Sequence, residues 1–155
     1  MDPEPYDDTW PPTGLYYRVQ VGGETSGPDA GFREVTGLSL SITTEEVTEG
    51  GENRFRHKLP TPAKSENLVL KRGLLVKSAP LHTWCADTLG GGMAEPIKPQ
   101  AVQVVLLNDQ GTPLRTWKIV NAWPVKWEVN GFNAQEAAVL VESIELAYQY
   151  FEVSR

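Results

Sequence analysis

FREVTGLSLSITTEEVTEGGENRFRHKLP, residues 32–60, is the stretch whose reading decides the fold. Gly37 divides it. Phe32 and Val35 precede the glycine, and Leu38, Leu40 and Ile42 follow it in alternation with Ser39, Ser41 and Thr43. A two-residue period is that of a β-strand with one buried face and one wet face. The pattern predicts one long bent strand over residues 32–47, or two, with Gly37 as the bend or bulge. Glu49, Gly50, Gly51, Glu52, Asn53 and Arg54 then end the alternation with residues that do not fill a core. A polar loop of this kind on a small domain is where contact with another molecule is expected.

Working outward, residues 15–21 (LYYRVQV) form the preceding strand, and residues 22–28 a glycine-rich loop. Residues 1–14 are acidic and proline-rich, which disfavours helix and sheet alike, so they read as an extended arm before a single domain over 15–155. Downstream, NLVLK (67–71) is a strand that ends near Gly73. PLHTWCADTL (80–89) is a short helix, with Pro80 suited to a first turn and Gly90-Gly91-Gly92 as its stop. Residues 101–107 and 114–120, joined by Asn108-Asp109-Gln110-Gly111, carry a hairpin signature. Pro124 interrupts the next segment, where Val125, Trp127 and Val129 alternate with Lys126 and Glu128. After a turn at 130–135, residues 139–153 form a long last strand with Ile144, Leu146, Tyr148 and Tyr150 on one face; helix is the rival reading for 134–147. The sum is a mainly β domain of about seven or eight antiparallel strands with one side helix, closed as a barrel or sandwich.

At 155 residues the chain has room for one ordinary domain core. A formal charge of −6, with lysine and arginine scattered, argues against a nucleic-acid partner, which wants a clustered basic face. The single cysteine, Cys85, permits no intrachain disulfide, and the N-terminus lacks the basic start and apolar core of a signal peptide. No apolar run approaches the roughly 20 residues of a membrane span. Folding in a reducing cytoplasm, with any later release by another route than standard secretion, is the expectation.

Candidate chemistry is sparse. His82 and Cys85 share a helix face at i, i+3, the spacing of a thiolate with its base or of half a zinc site. His57 is the only other histidine, so a metal lacks ligands; Cys85 reads better as a small buried residue and His82 as a rim residue. Gly90-Gly91-Gly92 follows a helix instead of opening one and lacks the lysine of a phosphate loop. Glu45, Glu46, Glu49 and Glu52 match no calcium-loop spacing. Trp117, Trp123 and Trp127, placed on adjoining strands, suit core or interface better than a sugar-stacking platform. The expectation is no enzyme, no cofactor and no metal.

Several pieces in order resemble the inner-tube proteins of contractile phage tails and extracellular contractile injection systems. They are Phe32, Val35, Gly37 and Leu38; Glu49, Gly50, Gly51 and Asn53; Lys58-Leu59-Pro60; Leu70-Lys71-Arg72-Gly73; the Trp84 helix; Leu107-Asn108 with Gly111; Trp117; Asn121-Ala122-Trp123-Pro124; and Ile144-Glu145-Leu146 with Tyr148. The resemblance spans about residues 15–151. It implies a protomer that forms homo-hexameric rings stacked into a hollow conduit. Its partners would be other tube paralogues, spike and baseplate proteins, and a sheath. By the same resemblance Glu49, Gly50, Gly51, Glu52, Asn53 and Arg54 would be the inter-ring loop, and Leu81, Trp84 and Cys85 would stand on a helix beside the neighbouring subunit. Ser39, Ser41, Thr43 and Gln103 are candidates for a polar lumen wall. The arm at 1–14 and the loop at 90–99 exceed a minimal tube subunit and lean towards a base-proximal initiator over the bulk subunit. The alternative class is a stand-alone ligand-binding β module built on Trp117, Trp123 and Trp127.

Overall fold

A computed structural model describes residues 15–22, 31–73, 80–94, 96–130 and 141–154. The arm at 1–14, most of the 22–28 loop, the 130–135 turn beyond its first residue and the start of the last strand lie outside them. In chain order the elements are β1 (Tyr16–Val21), β2 (Gly31–Phe32), β3 (Glu34–Thr36), β4 (Thr44–Val47), β5 (His57–Pro60), β6 (Leu68–Gly73), α1 (Pro80–Gly90), a 3-10 turn (Gly92–Ala94), β7 (Gln100–Leu107), β8 (Pro113–Asn130), β9 (Val141–Ala147) and β10 (Tyr150–Ser154).

Eight strands make one antiparallel sheet in the order β2-β1-β7-β8-β9-β6-β3, with β10 also on β8. The two ends of that order, β2 and β3, are separated in sequence by Arg33 alone, so the sheet returns to its own beginning as a barrel does. One hydrophobic cluster fills it. Val19, Val102, Val104 and Ile119 come from one half, Leu68, Leu70, Ile144 and Leu146 from the other, and Leu81, Trp84 and Cys85 from α1.

β8 is the element that turns the sheet. Its first half pairs with β7 and β10, and its second half, Trp123 to Asn130, pairs with β9. Between the halves Asn121 adopts φ +52°, a conformation that asparagine tolerates better than branched residues do. Its side-chain amide donates to Gln149 Oε1 at 2.7 Å, and the Gln149 N–H donates to the Val120 carbonyl at 3.0 Å. The bend thus meets the break between β9 and β10.

Most predicted elements stand, and the differences have local causes. The hairpin of β7 and β8 is capped by Asn108, whose Oδ1 accepts from the Gln110 and Thr112 amides. Pro124 does not interrupt its segment: β8 runs through it, and the register with β9 shifts between Pro124 and Lys126, where a missing N–H costs no ladder bond. The last strand is two strands. Ile144 and Leu146 are buried as expected and Tyr148 is half-buried, but Tyr150 is exposed because the break at 148–149 resets the phase and turns Phe151 towards the core. Residues 141–147 are strand, so the helical reading fails there.

The largest correction falls on the opening stretch. Residues 32–47 are not one strand with a buried face. β2 and β3 belong to the barrel, and after Gly37 the chain leaves it. Leu38 still packs against the core cluster, but Leu40 and Ile42 beyond it are 68% and 59% exposed, so the outer part of the apolar alternation is left largely uncovered among the described residues.

Candidate functional site

Gly37 and Asn67 are the two feet of an arm. Between them the chain runs out and back as a narrow ribbon, tied by a Ser41–Lys64 bridge with backbone bonds of 2.9 and 2.7 Å. Further out, the Thr61 amide and hydroxyl both donate to the Thr43 carbonyl, at 2.8 and 2.7 Å, and the two side-chain hydroxyls touch. Then β4 and β5 pair from Thr44 with Pro60 to Val47 with His57. This two-stranded sheet is separate from the barrel.

The expected contact loop, Glu49 to Arg54, is the far turn of this ribbon, with Gly51 at φ +100°. Arg54 closes it, donating to Glu52 from its backbone amide, Nε and Nη2 at 3.0, 2.8 and 3.1 Å. Those side-chain bonds first, then the backbone bond, hold the Glu52 carboxyl below the usual carboxylate range. Arg56 pairs with Glu46 at 3.1 Å across the strands. The turn's charges are therefore partnered within the arm, which shapes it before any contact is made.

No residue of β4 or β5 is buried. Besides Leu40 and Ile42, the arm exposes Val47, Phe55 and Leu59. A bare two-stranded ribbon is marginally stable in water, and clustered exposed apolar side chains mark an interaction surface. This is the site's main chemical property: apolar side chains and unpaired strand edges offered to another chain.

The helix is a different case from the one expected. Leu81, Trp84 and Cys85 are buried in their own barrel and are not available to a neighbour. The apolar spacing that singled them out marks the core face, and the exposed face of α1 carries Thr83, Ala86, Asp87 and Leu89. Trp84 Nε1 also donates to the Lys98 carbonyl at 3.1 Å, fastening the 90–99 loop to the helix.

His82 is buried, not at the rim. Its Nε2 contacts Glu142 Oε1 and lies 3.1 Å from Arg72 Nη2. Glu142 has no exposed surface and also accepts from Arg72 Nε and Trp127 Nε1, each at 2.8 Å. The Trp127 ring lies 5.5 Å from the His82 ring at 30°, and the Arg72 guanidinium sits 4.5 Å over Phe32. Burial alone raises the Glu142 carboxyl, but Arg72, His82 and Trp127 together outweigh it and leave the group below its ordinary value. One sequence signal was present: Glu142 is in phase with Ile144 and Leu146, and a carboxylate on a buried strand face needs partners.

Cys85 is no nucleophile. Burial and the Glu142 charge push its thiol up to about 12. We expect no labelling by a thiol-reactive disulfide reagent at neutral pH until denaturant is added; stoichiometric labelling of the native protein within minutes would show an accessible thiol. Among the described residues no group of three or more His, Cys, Asp or Glu is placed to hold a metal.

The three tryptophans stand on one strand, β8, not on adjoining ones. Trp117 and Trp123 pack against the core, whereas Trp127 commits its N–H to Glu142. Gln103 lies in a polar cross-strand row, Gln20–Gln103–Lys118–Glu152, on the barrel's outer face. Ser39, Ser41 and Thr43 instead belong to the arm, so the four lumen candidates fall in two separate places.

Comparison with known proteins agrees with this architecture. Solved chains of similar structure include one in the 6-fold symmetrised baseplate of the anti-feeding prophage, at 28% identity and TM-score 0.74 over 91% of this chain and 92% of that one. A chain of the cap that terminates the anti-feeding prophage tube aligns at 20% identity and TM-score 0.75, over 97% and 95%. A chain of the PVC sheath–tube complex, an extracellular contractile injection system in its extended state, aligns at 24% and 0.72, over 95% and 93%. The latter two show a shared fold. No curated protein matches the sequence. The pattern of the T4-like virus tail tube protein gp19 matches residues 13–152, nearly the whole chain, and the protein belongs to that tail tube family.

Proposed function

We propose that this chain is a structural subunit of the inner tube of a contractile injection system or phage-like tail, assembling as hexameric rings that stack into a hollow conduit. The observation that carries the reading is the arm. A family of tube proteins supplies the setting, and the arm supplies a surface that is apolar, edge-exposed and, among the described residues, uncovered by its own chain. In a closed ring of heterologous contacts such edges and side chains are used by neighbours.

In this reading residues 15–155 form one tube-type domain preceded by an arm at 1–14. The turn Glu49 to Arg54 reaches the adjacent ring, and the outward residues of α1 meet the neighbour in the same ring. The row Gln20–Gln103–Lys118–Glu152 faces the lumen, where Lys118 beside Glu152 leaves little net charge to hold cargo. Sheath, spike and baseplate proteins are the other partners, and the assembled particle is released from the cell that makes it. Similarity to a chain in a baseplate structure supports the base-proximal initiator over the bulk subunit.

Negative-stain electron microscopy with light scattering on the purified protein tests this. Six-fold rings or stacked tubes are expected, and rings that fail to extend would favour the initiator. A strict monomer at high concentration, unchanged by adding the spike or baseplate partner, would overturn the reading.

A further inference from the structure

The buried cluster under α1 lies inside the protomer and is costly to build, since both Arg72 and Glu142 are removed from water. Its geometry converges on one atom group. The Glu142 carboxylate of β9 receives Arg72 from β6, Trp127 from β8 and His82 from the first turn of α1. α1 has only 11 residues, too short to persist by its own backbone bonds, so its seat depends on what fastens it. Leu81, Trp84 and Cys85 fasten it through apolar packing, and Glu142 fastens the same turn through polar bonds.

We propose that Glu142 is a proton-operated latch on helix α1. While ionised, it ties the helix's first turn to β6 and β8; once protonated, it releases that turn, although the barrel stays folded. The groups facing it from the elements packed around it are Arg72 of β6, His82 and Cys85 of α1, and the Trp127 N–H of β8. The sign follows from the depressed carboxyl. The latch is fully closed above the ordinary carboxylate range and opens as pH falls through the lower value of the folded state. A consequence rests on the tube reading: the outward face of α1 would no longer be presented to a neighbour, and rings would come apart in acid.

Amide hydrogen exchange along α1 and along β7 tests the latch, corrected for intrinsic rates. As pH falls from neutral to below the ordinary carboxylate range, wild-type α1 is expected to lose roughly tenfold or more of its protection, and β7 much less. In Glu142→Gln, α1 is expected to be poorly protected already at neutral pH and insensitive to acid. Equal protection of α1 in both proteins, or simultaneous loss in α1 and β7 of the wild type, overturns the proposal. Should Glu142→Gln fail to fold, Trp127→Phe keeps the carboxylate and removes one bond to its ionised form. The α1 transition should then move to higher pH, because Trp127 no longer favours the ionised carboxylate; an unmoved midpoint also overturns the latch. Exchange is read on protomers and does not depend on rings. Rings that persist in acid after α1 has lost protection would overturn only the coupling to assembly.

Discussion

Gly37→Ala is expected to destabilise the folded protomer by roughly 3–5 kcal/mol, at the top of the range for single substitutions. Gly37 sits at φ +91°, and a Cβ there would fall 1.9 Å from the Asn67 carbonyl oxygen, 2.8 Å from its carbon and 3.1 Å from the Leu68 Cα. All three are backbone atoms, so no side chain can swing aside. Moving that backbone disturbs β6 where Thr36 pairs with Val69, next to the fully buried Leu68 and Leu70. It also disturbs the Gly37 carbonyl, which accepts the Tyr148 hydroxyl at 2.8 Å. Urea unfolding reads the effect. With a slope of about 2 kcal/mol/M, the midpoint should fall by about 1.5–2.5 M. Gly31→Ala is the control, because nothing lies within 4 Å of its added Cβ and its backbone is ordinary. Equal shifts for the two variants would show that the close approach at Gly37 carries no strain.

The second large effect concerns assembly, with stability nearly untouched. Leu40→Ser, Ile42→Ser and Leu59→Ser together should abolish rings and tubes. These side chains are 68%, 59% and 52% exposed in the protomer, so each replacement should alter its stability by no more than about 0.5 kcal/mol. Buried against a neighbour, the half to two-thirds of each side chain still exposed would contribute about 1–2 kcal/mol. Loss of all three removes roughly 3–6 kcal/mol per subunit contact, or at least about two powers of ten in association. Sedimentation velocity and microscopy read assembly, while thermal unfolding of the monomer reads the fold. Assembly that survives the triple replacement at wild-type concentration would place the subunit contact away from the arm.

Much of the barrel was legible in local chemistry. The β7–β8 hairpin announces itself by alternating valines and by an asparagine that caps its own turn. α1 lies between a proline and glycines, and its ends needed nothing from the rest of the chain. Pro124 misled because a missing N–H normally ends a strand; here the register shift with β9 removes the need for it, and that shift depends on a partner segment. Leu40 and Ile42 misled for a deeper reason. A two-residue period says that one strand face seeks apolar cover, and it is silent on which molecule provides the cover.

The sequence by itself determined the class of the molecule. Strand periodicity, turn residues and helix punctuation are all set within a few neighbouring residues, and the ordered motifs from Phe32 to Tyr148 were enough to point to tube proteins. Only the tertiary structure decided that the chain after Leu38 leaves the barrel as an arm left exposed among the described residues, and that Arg72, His82 and Glu142 share one buried site. Glu142 lies 70 residues from Arg72 and 60 from His82. Contacts of that separation arise from how the sheet closes, and their energy depends on the burial that closure creates.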